Sequence, residues 1–106
     1  MPKYLIQGSY TAEGASGLLK EGGSYRVKAV TEALKSLGGK LESFYFAFGE
    51  TDTFVIVELP DHASVAALSL AFASSRRGHI KTTLLLSADE IDAATKKKLT
   101  FRVPGE

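Results

Sequence analysis

The sequence predicts an α+β fold, with one antiparallel sheet carrying its helices on a single face. Three observations predict it. Segments rich in aromatic and β-branched residues alternate with helix-period segments, two of the strand-like segments meet at a four-residue bend, and Gly22-Gly23, Gly38-Gly39 and Pro60 punctuate the boundaries. At 106 residues the chain is sized for one domain, 1–106, and is too short for two full cores.

Lys3 to Tyr10 mixes aromatic, β-branched and polar residues and ends at Thr11, a helix-capping residue type, so a strand runs into a helix there. From Thr11 to Lys20 the helical signal is weakened by Gly14 and Gly17, each costing about 1 kcal/mol against alanine, which predicts a short or irregular turn. After Gly22-Gly23, Ser24 is placed to cap a better helix. Val27, Val30, Leu34 and Leu37 fall on one face of it and Gly38-Gly39 end it.

Leu41–Phe48 and Thr53–Leu59 read as two strands of a hairpin around Gly49–Asp52, with Pro60 closing the second. Asp61 caps a following helix that carries Val65, Leu68 and Phe72. Its alanines and leucines make nearly the whole circumference apolar, which predicts cover on more than one side. Ile80–Leu86 is the last strand. Ser87-Ala88-Asp89-Glu90 matches the capping box of a short helix whose cationic end, Lys96-Lys97-Lys98, suits the helix dipole. The order is βαββαβ plus a terminal helix, the ferredoxin-like arrangement, with one sheet face left uncovered.

Facing residues of a hairpin share a side of the sheet. With an even-numbered bend, Phe48 opposes Thr53, Phe46 opposes Val55 and Phe44 opposes Val57. That apolar side is the expected seat of the helices. Ser43, Tyr45, Ala47, Phe54, Ile56 and Glu58 are left on the far side, joined by alternation to Leu5, Gln7 and Ser9 and to His79, Lys81, Thr83 and Leu85. A face holding Leu5, Phe54, Ile56 and Leu85 is expected to be covered by a partner sheet or a ligand.

Composition excludes several classes. Thirteen basic and 12 acidic residues are mixed along the chain and leave a net charge of +1, with no field to draw nucleic acid or an anionic membrane. The absence of cysteine removes disulfides and thiolate chemistry. The most apolar run, Ala63–Ser75, falls short of the roughly 20 residues of a membrane span and predicts a buried helix. MPKYLIQGSY lacks the apolar core of a signal peptide, so the expected location is cytoplasmic. His62 and His79 stand far apart with only scattered carboxylates, so no metal and no cofactor are expected. Gly22-Gly23-Ser24 matches neither the P-loop nor the dinucleotide fingerprint.

The segments GSYTAEGASGLLKEGGSYRVKAV, LGGKLESFYFAFGETD and KTTLLLSADEID together resemble the GYD-domain family of small bacterial and archaeal proteins, over about Tyr4 to Ala94. The family motif, Gly-x-Tyr-Asp at the hairpin, becomes Gly49-Glu50-Thr51-Asp52 here. Thr51 stands where tyrosine is expected, so no role of that tyrosine carries over; the glycine and the aspartate match. The resemblance implies the dimeric α/β-barrel assembly, with two sheets packed face to face, and no established reaction. Larger relatives of that architecture include cofactor-free monooxygenases, lactone isomerases and haem proteins, so architecture alone does not select a function.

Gly49 and Asp52 suit a plain turn, and a carboxylate at a pocket mouth is the functional alternative. Tyr45, Glu58, His79 and Lys81 share the uncovered face and are candidates for proton transfer or ligand contact, with Gln7 and Ser9 beside them and Phe54 and Ile56 as apolar walls. Glu58 and Lys81 also suit an intersubunit salt bridge. The leading expectation is a homo-oligomer that binds a small molecule, or acts on it without a cofactor, in a pocket between the sheet and its helices or between two sheets at the open sheet face. The alternative is a face that serves assembly alone.

Overall fold

Alternation in KYLIQGSY turns Tyr4, Ile6 and Gly8 to one side. In the computed structural model, which describes residues 1–106, these three are buried on strand β1 (Lys3–Tyr10). β1 pairs antiparallel with β3 (Thr53–Glu58) and with β4 (Gly78–Leu85), and β3 pairs antiparallel with β2 (Lys40–Phe46). The result is a four-stranded open sheet in the order β2-β3-β1-β4 within an α+β architecture of four helices.

Helix α1 (Ala12–Glu21) is capped by the Thr11 hydroxyl, which accepts from Gly14 N–H. It runs a regular 10 residues despite Gly14 and Gly17, so the short or irregular turn expected there is not what forms. The cap and the tertiary seat outweigh the glycine cost: Gly14 is buried, and a Cβ there would meet Arg77 O at 1.9 Å. Helix α2 (Gly23–Ser36) starts two residues earlier than a Ser24 cap predicts, with Gly22 at the cap position and no side-chain cap bond. At its other end Gly38 N–H donates to Lys35 O at 3.0 Å and Gly39 N–H to Leu34 O at 2.8 Å. This is a Schellman closure around Gly38 at φ 76°.

Helix α3 (His62–Ser74) is capped by Asp61, whose Oδ1 accepts from both Ser64 N–H and Ser64 Oγ at 2.8 Å. It buries Val65 and half-buries Leu68 and Phe72. Within the single chain its outer side stays open, with Leu70 70% exposed. The core is Tyr4, Ile6, Leu34, Val55, Val57, Leu59 and Val65, with Val30, Leu37, Phe44 and Ile80 packed on it. Full burial of a Leu or Val side chain contributes about 1.5–3 kcal/mol.

The hairpin register differs from the expected one by two residues. Phe46 opposes Thr53, Phe44 opposes Val55 and Leu41 opposes Val57, with an irregularity between Leu41 and Ser43. The connection spans Ala47 to Asp52, two residues longer than the four-residue bend, and Phe48 lies outside β2 and fully exposed. A shift of two preserves the parity of strand faces. Phe44 therefore packs on the helix-side core, while Tyr45 is 70% exposed.

After β4, α4 (Ala88–Thr95) begins with a complete capping box: Ser87 Oγ accepts from Glu90 N–H and Glu90 Oε1 from Ser87 N–H. Every residue from Leu86 to Glu106 is exposed. The radius of gyration is 16.9 Å, against about 13 Å for a compact chain of this length.

Candidate functional site

The hairpin connection is fastened to the end of β1. Asp52 N–H donates to Gly8 O at 2.8 Å, and Tyr10 N–H donates to Asp52 Oδ2 at 2.8 Å. The carboxylate accepts from the main chain just beyond the last β1–β3 rung, Gly8 opposite Thr53. Ser9 Oγ donates to Glu50 O, and Ala47 N–H closes the connection onto Asp52 O at 2.7 Å. Gly49 sits at φ 111°, a backbone state that L side chains rarely adopt. Both motif residues thus have a structural use.

Beside this fastening lies a pocket of about 80 Å³ between the sheet and helices α2 and α3. Val30, Phe44, Leu68, Phe72 and Ile80 form apolar walls, and Tyr10, Arg26 and buried Thr53 are the polar residues lining it. A single water needs only about 10–15 Å³, so the space suits a small organic body. Gly8 opens it. In the inward series Tyr4, Ile6, Gly8, Tyr10 the glycine has no side chain, and a Cβ there would stand 2.6 Å from Thr53 Oγ1.

Tyr10 lines this pocket and two adjoining surface recesses, one toward α1 and α3 and one toward Phe46–Asp52. Burial pushes the Tyr10 phenol above its usual range, with the Arg26 charge pulling the other way and Asp52 reinforcing the rise. Near neutral pH the group is therefore a neutral hydrogen-bond donor beside a cation. Neither Tyr10 nor Arg26 is among the side chains that the sequence picks out. The parity of β1 was the available signal for Tyr10; Arg26 carries none, because an arginine on a helix reads as solvated.

A family model for the GYD domain matches residues 4–95. The chain belongs to the GYD domain family. No curated protein and no solved structure matches it. In this GYD domain the motif glycine and aspartate shape and fasten the hairpin connection. Thr51, in place of the motif tyrosine, is half-buried.

The open face of the GYD domain carries the other candidates in cross-strand rows. Tyr45 opposes Phe54, Phe54 opposes Gln7, and Gln7 opposes Lys81. Ser9 opposes His79, Leu5 lies between Ile56 and Thr83, and Glu58 opposes Lys3. Tyr45 and Lys81 stand three strand spacings apart, about 14 Å, and Glu58 lies four residues, about 13 Å, along the strand from Phe54. Tyr45, Glu58, His79 and Lys81 share a face without converging on one point. Lys3 Nζ reaches Glu42 Oε1 at 2.5 Å, an exposed pair in which the Glu42 bond holds the ammonium above its usual range. Such pairs contribute little to stability.

His62 is engaged elsewhere, its Nδ1 lying 2.8 Å from the hydroxyl of buried Tyr4 with the rings edge to face. No three His, Asp or Glu side chains converge as a metal site, and no helix is long and apolar enough to cross a membrane.

Proposed function

We propose that this GYD domain binds a small molecule with an apolar body and an anionic or oxygen-bearing head, in the pocket between the sheet and helices α2 and α3. The observation that carries this reading is that Tyr10 and Arg26 both line an otherwise largely apolar pocket, with the Arg26 charge close enough to act on the phenol. A few polar groups that orient a ligand within apolar walls are the usual composition of a binding site. A neutral phenol donates rather than abstracts a proton, so the arrangement favours binding over base catalysis. Of the two expected positions this reading takes the one between the sheet and its helices, since on the open face the polar groups are spread along separate rows.

The strand order and the one-sided helices support the ferredoxin-like arrangement. The exposed Tyr45 and Phe54, beside half-buried Leu5 and Ile56, favour homo-oligomerisation through the open face, in the manner of a dimeric α/β barrel. A role in assembly alone is the second reading, and the same apolar face favours it.

Thermal unfolding in the presence of benzoate and of short aliphatic carboxylates tests the binding reading. A ligand at about 100 times its Kd adds about 2.7 kcal/mol of stability, a shift of several degrees in Tm for a domain of this size. Arg26→Gln abolishes that shift if the reading holds. An equal shift in the variant removes the pocket from consideration.

A further inference from the structure

We infer that residues Leu99–Val103 form an additional strand on the free edge of β4 in a second copy of this chain. The first observation is an excess of surface. The chain exposes 7732 Å², about 2,000 Å² more than the roughly 5,700 Å² of a compact protein of its mass. A standard interface removes about 800 Å² from each partner, so the excess exceeds what a stable dimer needs.

The second observation places that excess. The arm from Leu86 to Glu106 is exposed throughout, including Leu86, Ile91, Leu99, Phe101 and Val103; Leu99 is 80% and Phe101 70% exposed. An eight-residue helix such as α4 is marginal in water on its own, and all of its residues are exposed.

The third observation is the pattern within the arm. In Leu99-Thr100-Phe101-Arg102-Val103 large apolar residues alternate with polar ones, the period of a half-buried strand. None of these five residues donates a main-chain hydrogen bond within the chain. A segment with strand periodicity and free amides is complementary to a sheet edge, which offers the same groups unpaired.

The sheet has two such edges. β2 carries the irregularity at Leu41/Ser43, a feature that disrupts edge pairing. β4 pairs in unbroken register with β1 over eight residues and has nothing on its other side. The regular edge is the better template, and Leu84, 47% exposed, lies on it. Exchange between two copies satisfies both arms under one two-fold axis. The segment lies beyond residues 4–95 matched by the family, so the device belongs to this chain rather than to the matched domain. It requires neither the pocket nor face-to-face packing of the sheets.

Amide hydrogen exchange on the unmodified chain, combined with light scattering, tests the inference. The expected result is a particle of twice 11.3 kDa, with the amides of Leu99–Val103 and of β4 exchanging at least about tenfold more slowly than at dilutions that dissociate it. Shortening the chain after Lys98, and separately Phe101→Asp, converts the particle to one copy. Free-peptide exchange at Leu99–Val103 in an assembled particle, or an unchanged mass after both alterations, overturns the arm's role and leaves the sheet-face assembly as the cause. A monomeric unmodified chain overturns it as well. Carboxylate binding is read separately through Arg26→Gln, so a failure there leaves the arm result standing.

Discussion

The carboxylate of Asp52 accepts a hydrogen bond from Tyr10 N–H at 2.8 Å, so the aspartate of the hairpin motif anchors a residue that lines the pocket. Motif and pocket are therefore mechanically joined: Asp52 holds the end of β1, and Tyr10 turns its ring from there into the space between the layers.

Removing that anchor costs stability. Asp52→Ala strands a part-buried N–H and loses a charge-assisted bond, for about 1–3 kcal/mol, whereas Asp52→Asn keeps an acceptor and loses less. Urea unfolding of the two variants measures the difference, and equal losses contradict the anchoring role.

Gly8 is required by close approach. Gly8→Ala places a methyl against Thr53 Oγ1, 2.6 Å from the added carbon, and destabilises by about 1–3 kcal/mol. Thr53→Ala in the same chain relieves part of that cost, so the two changes are non-additive. Additive losses in the four-variant unfolding series count against the contact.

The sorting of the sheet faces was legible in alternation alone. Tyr4, Ile6, Val55 and Val57 are buried while Tyr45 and Phe54 are exposed, as period-two patterning dictates. The exact pairing was not legible, because the irregularity at Leu41/Ser43 and a connection running from Ala47 to Asp52 leave no trace in residue type. The helix over Gly14 and Gly17 escaped local reasoning because its stability comes from its seat against Arg77 and its Thr11 cap. The Ser24 cap failed because Gly22 at φ 83° already turns the chain between two helices. Arg26 was illegible for a further reason, since its neighbour Tyr10 is brought to it only by tertiary packing.

Tyr10 ionises above the ordinary value of 10.0, chiefly through burial. A folded value above the unfolded one means that the native state holds the proton more tightly. Its contribution is intact below about pH 10 and is lost as pH rises through the folded value. Absorbance titration of tyrosinate detects this late ionisation, and Tyr10→Phe removes it; an unchanged titration contradicts the burial of the phenol.

Asp61 behaves in the opposite sense. Bonds from the main chain and hydroxyl of Ser64 hold its carboxyl below the ordinary 3.8. Its contribution is present above that value and is lost as pH falls through the folded one. Asp61→Asn flattens the fall of Tm below about pH 3.8, and an unaltered acid limb in circular dichroism melts contradicts the cap.

The most direct test is chemical-shift mapping of the labelled chain during titration with benzoate. Binding in the pocket moves resonances of Arg26, Val30, Phe72 and Ile80 together and leaves Gln7, Tyr45 and Lys81 in place. Movement confined to the open-face residues contradicts the helix-side site and returns the ligand to the uncovered sheet.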